Sequence, residues 1–217
     1  MNKLIVKDIK YTYQDGQKAS TVLKGVNAEF ESGKLYVIIG ESGSGKTTLI
    51  SLISALDNLQ EGDILYNDKS IKQIGNSKFR LKYVNIVFQS YNLLTYMTAR
   101  ENVEVAVDYA GLKYDKDYIY NVLERVGIDK DKADRPVLKL SGGEQQRVAI
   151  ARSIATDEPV IVADEPTGNL DDETEEKIIK IFKELAKSGK IVILVSHSKN
   201  VSKHADIVYK IKKGMIE

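Results

Sequence analysis

The glycine-rich segment Gly40-Glu-Ser-Gly-Ser-Gly-Lys-Thr47 constrains the fold of this chain more than any other feature. It follows a continuous apolar run, Leu35–Ile39, which is typical of a strand buried on both faces. It precedes Lys46–Leu56, whose apolar residues recur at helical spacing. Strand, glycine-rich loop and helix in this order form the context of a phosphate-binding loop. At ordinary glycine frequency, a chance match in a chain of 217 residues is expected in well under roughly 1% of cases.

The residue types in this segment suit the binding of nucleotide phosphates. Glycines let backbone N–H groups approach phosphate oxygens closely, and the positive end of the following helix dipole faces the same oxygens. Lys46 is expected to neutralise the β- and γ-phosphates, and Thr47 to offer its hydroxyl to Mg²⁺. The predicted nucleotide-binding residues of the loop are Gly40, Glu41, Ser42, Gly43, Ser44, Gly45, Lys46, Thr47 and Thr48.

Two adjacent carboxylates follow a second apolar run, Val160–Ala163. Ligands of parallel α/β sheets bind at the carboxyl ends of the strands, so Asp164 and Glu165 are candidates for the same site as the loop. Asp164 is predicted to hold the Mg²⁺ shell and Glu165 to orient or deprotonate the attacking water. The alternative is that both acids simply mark a solvated strand end.

The order of the remaining segments predicts an α/β fold. Apolar strand patterns alternate with helical patterns along the chain, which implies a largely parallel sheet covered by helices. Residues 91–136 differ, being rich in Tyr, Asp and Lys, with helical patterns over Thr98–Tyr109 and Lys116–Val126. We interpret them as a small helical insertion within one domain that spans residues 1–217.

A further helix begins at Leu140-Ser-Gly-Gly-Glu144. Ser141 and Glu144 form a capping box, which is a purely structural reading. Two glycines in a first turn nevertheless cost roughly 1 kcal/mol each in helix propensity, and a cap does not require them. Exposed amides and a serine hydroxyl at a helix N-terminus suit an anion. The chain then has two phosphate-binding surfaces but only one phosphate loop. Two copies paired head to tail would explain this, because each copy could close the nucleotide held by the other.

These motifs, in this order, resemble the ATP-binding subunit of an ABC transporter over essentially the whole chain. The resemblance implies a P-loop NTPase (RecA-like) core with an N-terminal antiparallel β subdomain and an α-helical subdomain inserted at residues 91–136. It also implies an ATPase that uses ATP and Mg²⁺, forms a homodimer on binding ATP and drives a separate transmembrane permease. Its expected location is cytoplasmic, peripheral on the inner face of the cell membrane.

The resemblance also assigns roles to individual residues. Leu140–Gln146 resembles the ABC signature, which implies that Ser141, Gly142, Gly143 and Glu144 of one copy contact ATP held by the other. Gln89 matches the Q-loop glutamine near the Mg²⁺ and the γ-phosphate, and His197 matches the switch histidine.

Two further positions follow from the same resemblance. Asp171 belongs to a segment similar to the D-loop, which crosses the dimer interface, and Tyr13 matches the aromatic residue that stacks on adenine. Tyr11 competes with Tyr13 for the adenine, because residues two apart on a strand share a face. The predicted catalytic residues are Glu165, His197, Gln89 and Lys46, and the predicted metal ligands are Thr47, Gln89 and Asp164.

The segments Phe88–Leu94 and Ala163–Asp171 are similar to the lipoprotein-release, macrolide-export and cell-division (FtsE-like) group. Members of this group work with permeases that have few membrane spans and large extracytoplasmic domains. One departure from the family pattern is Ser198, directly after His197, where many members have Asp.

Composition narrows the alternatives. A net charge of +1, from 32 basic and 31 acidic residues, gives no reason to expect nucleic acid as a partner. The chain has no cysteine, and its apolar runs are too short to span a bilayer, so a membrane role would need another chain. The alternatives that remain are a soluble ABC ATPase acting on ribosomes or DNA, a small-molecule P-loop kinase, and a non-catalytic scaffold.

Overall fold

The computed structural model describes residues 1–16 and 18–217. The strands are β1 (Lys3–Asp15), β2 (Lys18–Glu31), β3 (Leu35–Ile39), β4 (Glu61–Tyr66), β5 (Lys69–Ser70), β6 (Val84–Val87), β7 (Val160–Asp164), β8 (Ile191–Val195), β9 (Ile207–Lys212) and β10 (Met215–Ile216). The helices are α1 (Lys46–Ile53), α2 (Ile71–Ile74), α3 (Asn76–Lys82), α4 (Ala99–Tyr109), α5 (Lys116–Arg125), α6 (Lys130–Ala133), α7 (Gly142–Ile154), α8 (Asp172–Lys187) and α9 (Lys199–His204). A short 3-10 turn covers Val137–Lys139.

A six-stranded sheet forms the centre of the fold, in the order β10-β9-β3-β8-β7-β6. Neighbouring strands from β9 to β6 pair in parallel, and β10 is antiparallel at the edge. The carboxyl ends of β3, β7 and β8 therefore meet at one edge, with Asp164 opposite Val195. This confirms the α/β class with a largely parallel core, and it brings the phosphate loop and the carboxylate pair to the same edge.

Both faces of the central sheet are buried. Leu35 and Val37 of β3 belong to an apolar cluster with helices α4, α5, α7 and α8. Tyr36 and Ile38 of the same strand point the opposite way, into a cluster with α1 and the second sheet. Continuous apolar strands such as β3 and β8 are what this three-layer arrangement requires.

The second sheet is antiparallel, in the order β2-β1-β4-β5, as expected for the N-terminal part of the chain. Leu4, Val6 and Ile9 of β1 are buried. The alternation slips by one residue between Val6 and Ile9, because Asp8 has a φ of 46° and interrupts the register as a β-bulge. The bulge changes which side chains further along β1 can face the core.

Three helices, α4, α5 and α6, lie between residues 91 and 136. Thr98 and Asp115 cap the first two with their side chains. The buried faces of α4 and α5, which include Val103 and Leu123, pack against α7, and α6 packs against α4 and α5. Among the residues that the structure describes, no helix combines the length and apolar character needed to cross a bilayer.

Candidate nucleotide-binding site

A cleft of about 630 Å³ opens at the carboxyl ends of β3 and β7. It collects residues from six separate segments of the chain, among them the loop before α1 and the loops after β6, β7 and β8. The lining residues are Tyr13, Val22, Ser42, Gly43, Gly45, Lys46, Thr47, Thr48, Gln89, Asp164, Glu165, Gly168, Asn169 and His197. The parallel sheet thus brings together most of the predicted loop residues and all four predicted catalytic residues.

The loop between β3 and α1 needs glycine at two positions for different reasons. Gly45 directly precedes α1 with a φ of 107°, and a Cβ there would lie 2.7 Å from Leu23 Cδ2. Gly40 lies against the neighbouring strand, where a Cβ would lie 2.3 Å from the carbonyl oxygen of Ile211. The loop is therefore held tightly against β2 and β9, and its backbone amides are available at the start of α1.

The ammonium group of Lys46 is buried and hydrogen-bonded to the loop itself. Its Nζ donates to the carbonyl oxygens of Gly40 and Glu41, at 2.9 Å in each case. Lys46 is only 7% exposed, so its charge is already largely removed from bulk water. A bound phosphate would replace neutral carbonyl acceptors by charged oxygens, which are stronger partners for an ammonium group.

Thr47 and Asp164 meet across the cleft. Thr47 Oγ1 donates to Asp164 Oδ2 at 3.2 Å, so a hydroxyl and a carboxylate lie side by side next to the loop. Within the described part of the chain, no group of three or more His, Asp or Glu side chains could hold a metal ion alone. A pair of oxygen donors beside a phosphate loop fits Mg²⁺, which takes few protein ligands and completes its shell with phosphate and water oxygens.

Glu165 and His197 form a second pair at the same edge of the sheet. His197 Nε2 lies 3.3 Å from Glu165 Oε1, and the Glu165 N–H donates to the carbonyl oxygen of Val195 at 3.0 Å. Glu165 has a φ of 48°, a conformation that a non-glycine residue adopts at a cost and that is often found at functional sites. Burial raises the pKa of both the Asp164 and Glu165 carboxyl groups above their ordinary values.

Tyr13 and Gln89 lie at the rim of the cleft. Tyr13 is 47% exposed, and its hydroxyl lies 3.3 Å from Thr48 Oγ1. Tyr11 does not line the cleft and packs against the core and edge-to-face on Tyr13, with ring centroids 5.0 Å apart. The geometry therefore favours Tyr13 over Tyr11 as the aromatic residue available to a ligand.

Several predicted residues lie outside this cleft. Gly40, Glu41 and Ser44 line a smaller cavity of about 300 Å³ on the side of β9. The signature residues Ser141, Gly142, Gly143 and Glu144 are at the start of α7, where Ser141 and Glu144 make the predicted capping box. Asp171 caps α8, accepting from the Thr174 N–H at 3.0 Å. One chain thus brings the phosphate loop, but not the signature, to the cleft.

Three cleft residues were not predicted from the sequence. Gly168 and Asn169 belong to the same segment as Asp171, and Asn169 Nδ2 donates to the Tyr91 hydroxyl at 3.0 Å. Their position in that segment was a usable signal, since it follows Glu165 directly. Val22 lies on β2, where strand alternation alone gives no sign of ligand contact.

Comparisons with known proteins agree with this geometry. Residues 23–168 match the family described as ABC transporter. The chain is 44% identical to an uncharacterized ABC transporter ATP-binding protein, YclH, of Bacillus subtilis, over 99% of this chain and 95% of the relative. It is 35% identical to the macrolide export ATP-binding/permease protein MacB of Pasteurella multocida, but spans only 34% of that protein's length.

A solved structure gives the same result for the fold. The dimeric structure of MJ0796, a bacterial ABC transporter cassette, is similar with a TM-score of 0.92 and 33% identity, over 99% of this chain and 96% of that one. The match covers both sheets and the helices between residues 91 and 136. On its sequence motifs, its cleft and these relatives together, the chain belongs to the ABC transporter family of ATP-binding proteins.

Proposed function

We propose that the chain, an ATPase subunit of an ABC transporter, binds Mg²⁺ and ATP in this cleft and hydrolyses the γ-phosphate with Glu165 as the general base. The observation that carries the proposal is the convergence of Lys46, Thr47, Asp164, Glu165 and His197 in one cleft. Phosphoryl transfer requires positioning and charge neutralisation rather than covalent chemistry by the protein, and this set of groups supplies both.

The roles follow from the contacts. Lys46 and the amides at the start of α1 hold the phosphates, and Thr47 and Asp164 would hold Mg²⁺, which neutralises phosphate charge when bound. Glu165 orients the attacking water and accepts its proton, and burial that raises its pKa makes it a stronger base than a solvated glutamate. His197, 3.3 Å from Glu165, orients this carboxylate. Gln89, at the rim of the cleft, is the remaining predicted catalytic residue and metal ligand.

A second copy of the chain completes the site. The signature at the start of α7 lies outside the cleft of its own chain, whereas its serine hydroxyl and glycine amides suit a phosphate. MJ0796 has been solved as a dimeric cassette and as a dimeric post-hydrolysis state bound to ADP and Pi. By analogy, two copies pair head to tail around two ATP molecules, with Asp171 near the interface.

The chain works with a separate transmembrane permease from the cytoplasmic face of the membrane. MacB is by name an ATP-binding/permease protein, and this chain spans only 34% of its length. The docking groove that we propose lies between α3 and the helical subdomain at residues 91–136. Its lining is part apolar and part charged, and consists of Leu81, Lys82, Ala110, Leu112, Asp157 and Glu158. Leu81 and Leu112 are 36% and 38% exposed, which suits an apolar contact with a membrane partner.

The Glu165→Gln variant tests the proposal. Gln keeps the size of the side chain but cannot accept the proton, so we expect ATPase activity to fall by about 10²- to 10⁴-fold, with ATP binding retained. Phosphate release measured without any acceptor also separates an ATPase from a P-loop kinase, which needs an acceptor. Activity equal to that of the unchanged chain would remove Glu165 from its role.

A further inference from the structure

Glu175, in the first turn of α8, has a set of contacts that the mechanism above does not use. Its Oε2 accepts a hydrogen bond from Thr167 Oγ1 at 3.0 Å. Its Oε1 accepts from Ser198 Oγ and from Asn200 Nδ2, both at 3.1 Å. One carboxylate thus joins three side chains from two parts of the chain that are distant in sequence, the loop after β7 and the start of α9.

The two loops are those that carry the catalytic pair. Thr167 is two residues after Glu165, and Ser198 is directly after His197. The side chains of Glu165 and His197 meet in one contact of 3.3 Å, and His197 is more than half exposed. A second connection behind them, through Glu175, limits how far the two loops can separate.

The donors to Glu175 are themselves held in place. Thr167 is 3% exposed, so its hydroxyl is fixed by packing. Ser198 is the N-cap of α9, where its Oγ also accepts from the N–H of Asn200 and of Val201. Because charge-assisted hydrogen bonds are stronger than neutral ones, a carboxylate with three donors is a firm anchor for both loops.

We infer that Glu175 is a positioning residue of the ATPase. It holds the loop after β7 to the loop after β8, so that the side chains of Glu165 and His197 stay in contact. The effect on catalysis rests on the proposed function, whereas the connection of the two loops through Glu175 does not. Many family members have Asp at the position of Ser198. In this chain the carboxylate beside that position belongs to Glu175 of α8 instead.

The first test is hydrogen exchange on the nucleotide-free chain, which needs no ATPase activity. Glu175→Ala should accelerate exchange at least about tenfold at the amides of Gly168, Leu170 and Ser202, the loss expected for one charge-assisted bond. These amides donate to Glu165, Thr167 and Ser198 carbonyl oxygens respectively. Glu173→Ala is the matched control, because it removes an exposed acid from the same turn.

A rescue variant distinguishes the carboxylate from general packing. Asp is a good N-cap residue, so Ser198→Asp keeps the cap of α9 while placing a carboxylate beside the vacated position. Added to Glu175→Ala, it should restore slow exchange and bring kcat to within about threefold of the unchanged chain. Without it, Glu175→Ala should lower kcat about tenfold and change KM for ATP by less than about twofold, because the phosphate loop is not touched.

The possible outcomes separate the two hypotheses. Exchange and kcat in Glu175→Ala equal to those of Glu173→Ala, or a loss that Ser198→Asp does not restore, would overturn the positioning role. If Glu175→Ala does not fold, exchange and kcat are compared instead between Glu175→Gln, which keeps the volume but loses the charge, and Glu173→Gln, and equal values would overturn the positioning role. An unchanged chain that releases no phosphate from ATP would instead refute the proposed function and leave the exchange result standing.

Discussion

Replacing Gly45 by Ala should destabilise the chain more than the same change at Gly43, although both glycines belong to the phosphate loop. Gly43 has a φ of 75° with open space around the position of a Cβ, so alanine there incurs only the conformational cost of about 1–2 kcal/mol. At Gly45 the φ of 107° is combined with an approach of 2.7 Å to Leu23 Cδ2 and 3.2 Å to the Val22 carbonyl oxygen. Overpacking of this kind adds about 1–3 kcal/mol.

The predicted total for Gly45→Ala is about 3 kcal/mol, against about 1.5 kcal/mol for Gly43→Ala. In a chain of this size each kcal/mol lowers Tm by about 2–4 °C, so we expect losses of about 6–12 °C and about 3–6 °C. Thermal unfolding of the nucleotide-free proteins, followed by circular dichroism, measures both. A loss for Gly45→Ala no larger than that for Gly43→Ala would show that β2 does not confine the loop as described.

Three further predictions concern the cleft. Burial raises the pKa of Asp164, so its stabilising contribution is fully present below about pH 4 and is lost as pH rises through the raised pKa. Asp164→Asn should therefore gain Tm relative to the unchanged chain as pH rises from about 4, and a difference independent of pH would contradict the burial argument. Tyr13→Ala should weaken ATP binding in titration calorimetry with little change in Tm, whereas Tyr11→Ala should lower Tm and leave binding nearly unchanged; the reverse pattern would assign adenine to Tyr11. Tyr91→Phe removes only the hydroxyl that accepts from Asn169, so it should speed exchange in the loop after β7 without lowering Tm measurably, and unchanged exchange would show that this bond does not order the loop.

Much of the fold could be predicted because the core strands and the long helices carry strong local patterns. β3 begins and ends as predicted, and α4 and α5 agree with their predicted bounds to within one residue, since an apolar run and helical spacing indicate these boundaries locally. The helix predicted to end at Leu56 stops at Ile53, because Ala55 adopts a φ of 53°. Local propensity does not indicate such a turn, which tertiary packing determines.

The elements that were not predicted are short or lie at sheet edges. The helices α2, α3, α6 and α9 have four to seven residues, too few for an apolar period to be distinguishable. The strand β9 lies beside the edge strand β10, its residues up to Ile211 are alternately partly buried and exposed, and its pairing with β3 and β10 defines it. These elements depend on contacts distant in sequence, which one sequence does not reveal.

The candidate site was predictable where a motif carries its own chemistry. The loop, Asp164 and Glu165 could be assigned from residue type and strand position, whereas the roles of Gln89 and His197 came from the resemblance. The network around Glu175 was not predictable, because its donors are 8, 23 and 25 residues away in sequence. An acid in a first turn ordinarily indicates only a favourable interaction with the helix dipole.

One chain holds half of the proposed ATP site, and a second copy supplies the rest. The mass of the Glu165→Gln protein with ATP and Mg²⁺, measured by light scattering after size exclusion, tests this most directly. We expect twice the chain mass of 24.2 kDa with ATP and the single-chain mass without it, and also the single-chain mass when Lys46→Ala is added. A protein that binds ATP in the cleft yet remains at 24.2 kDa would contradict it.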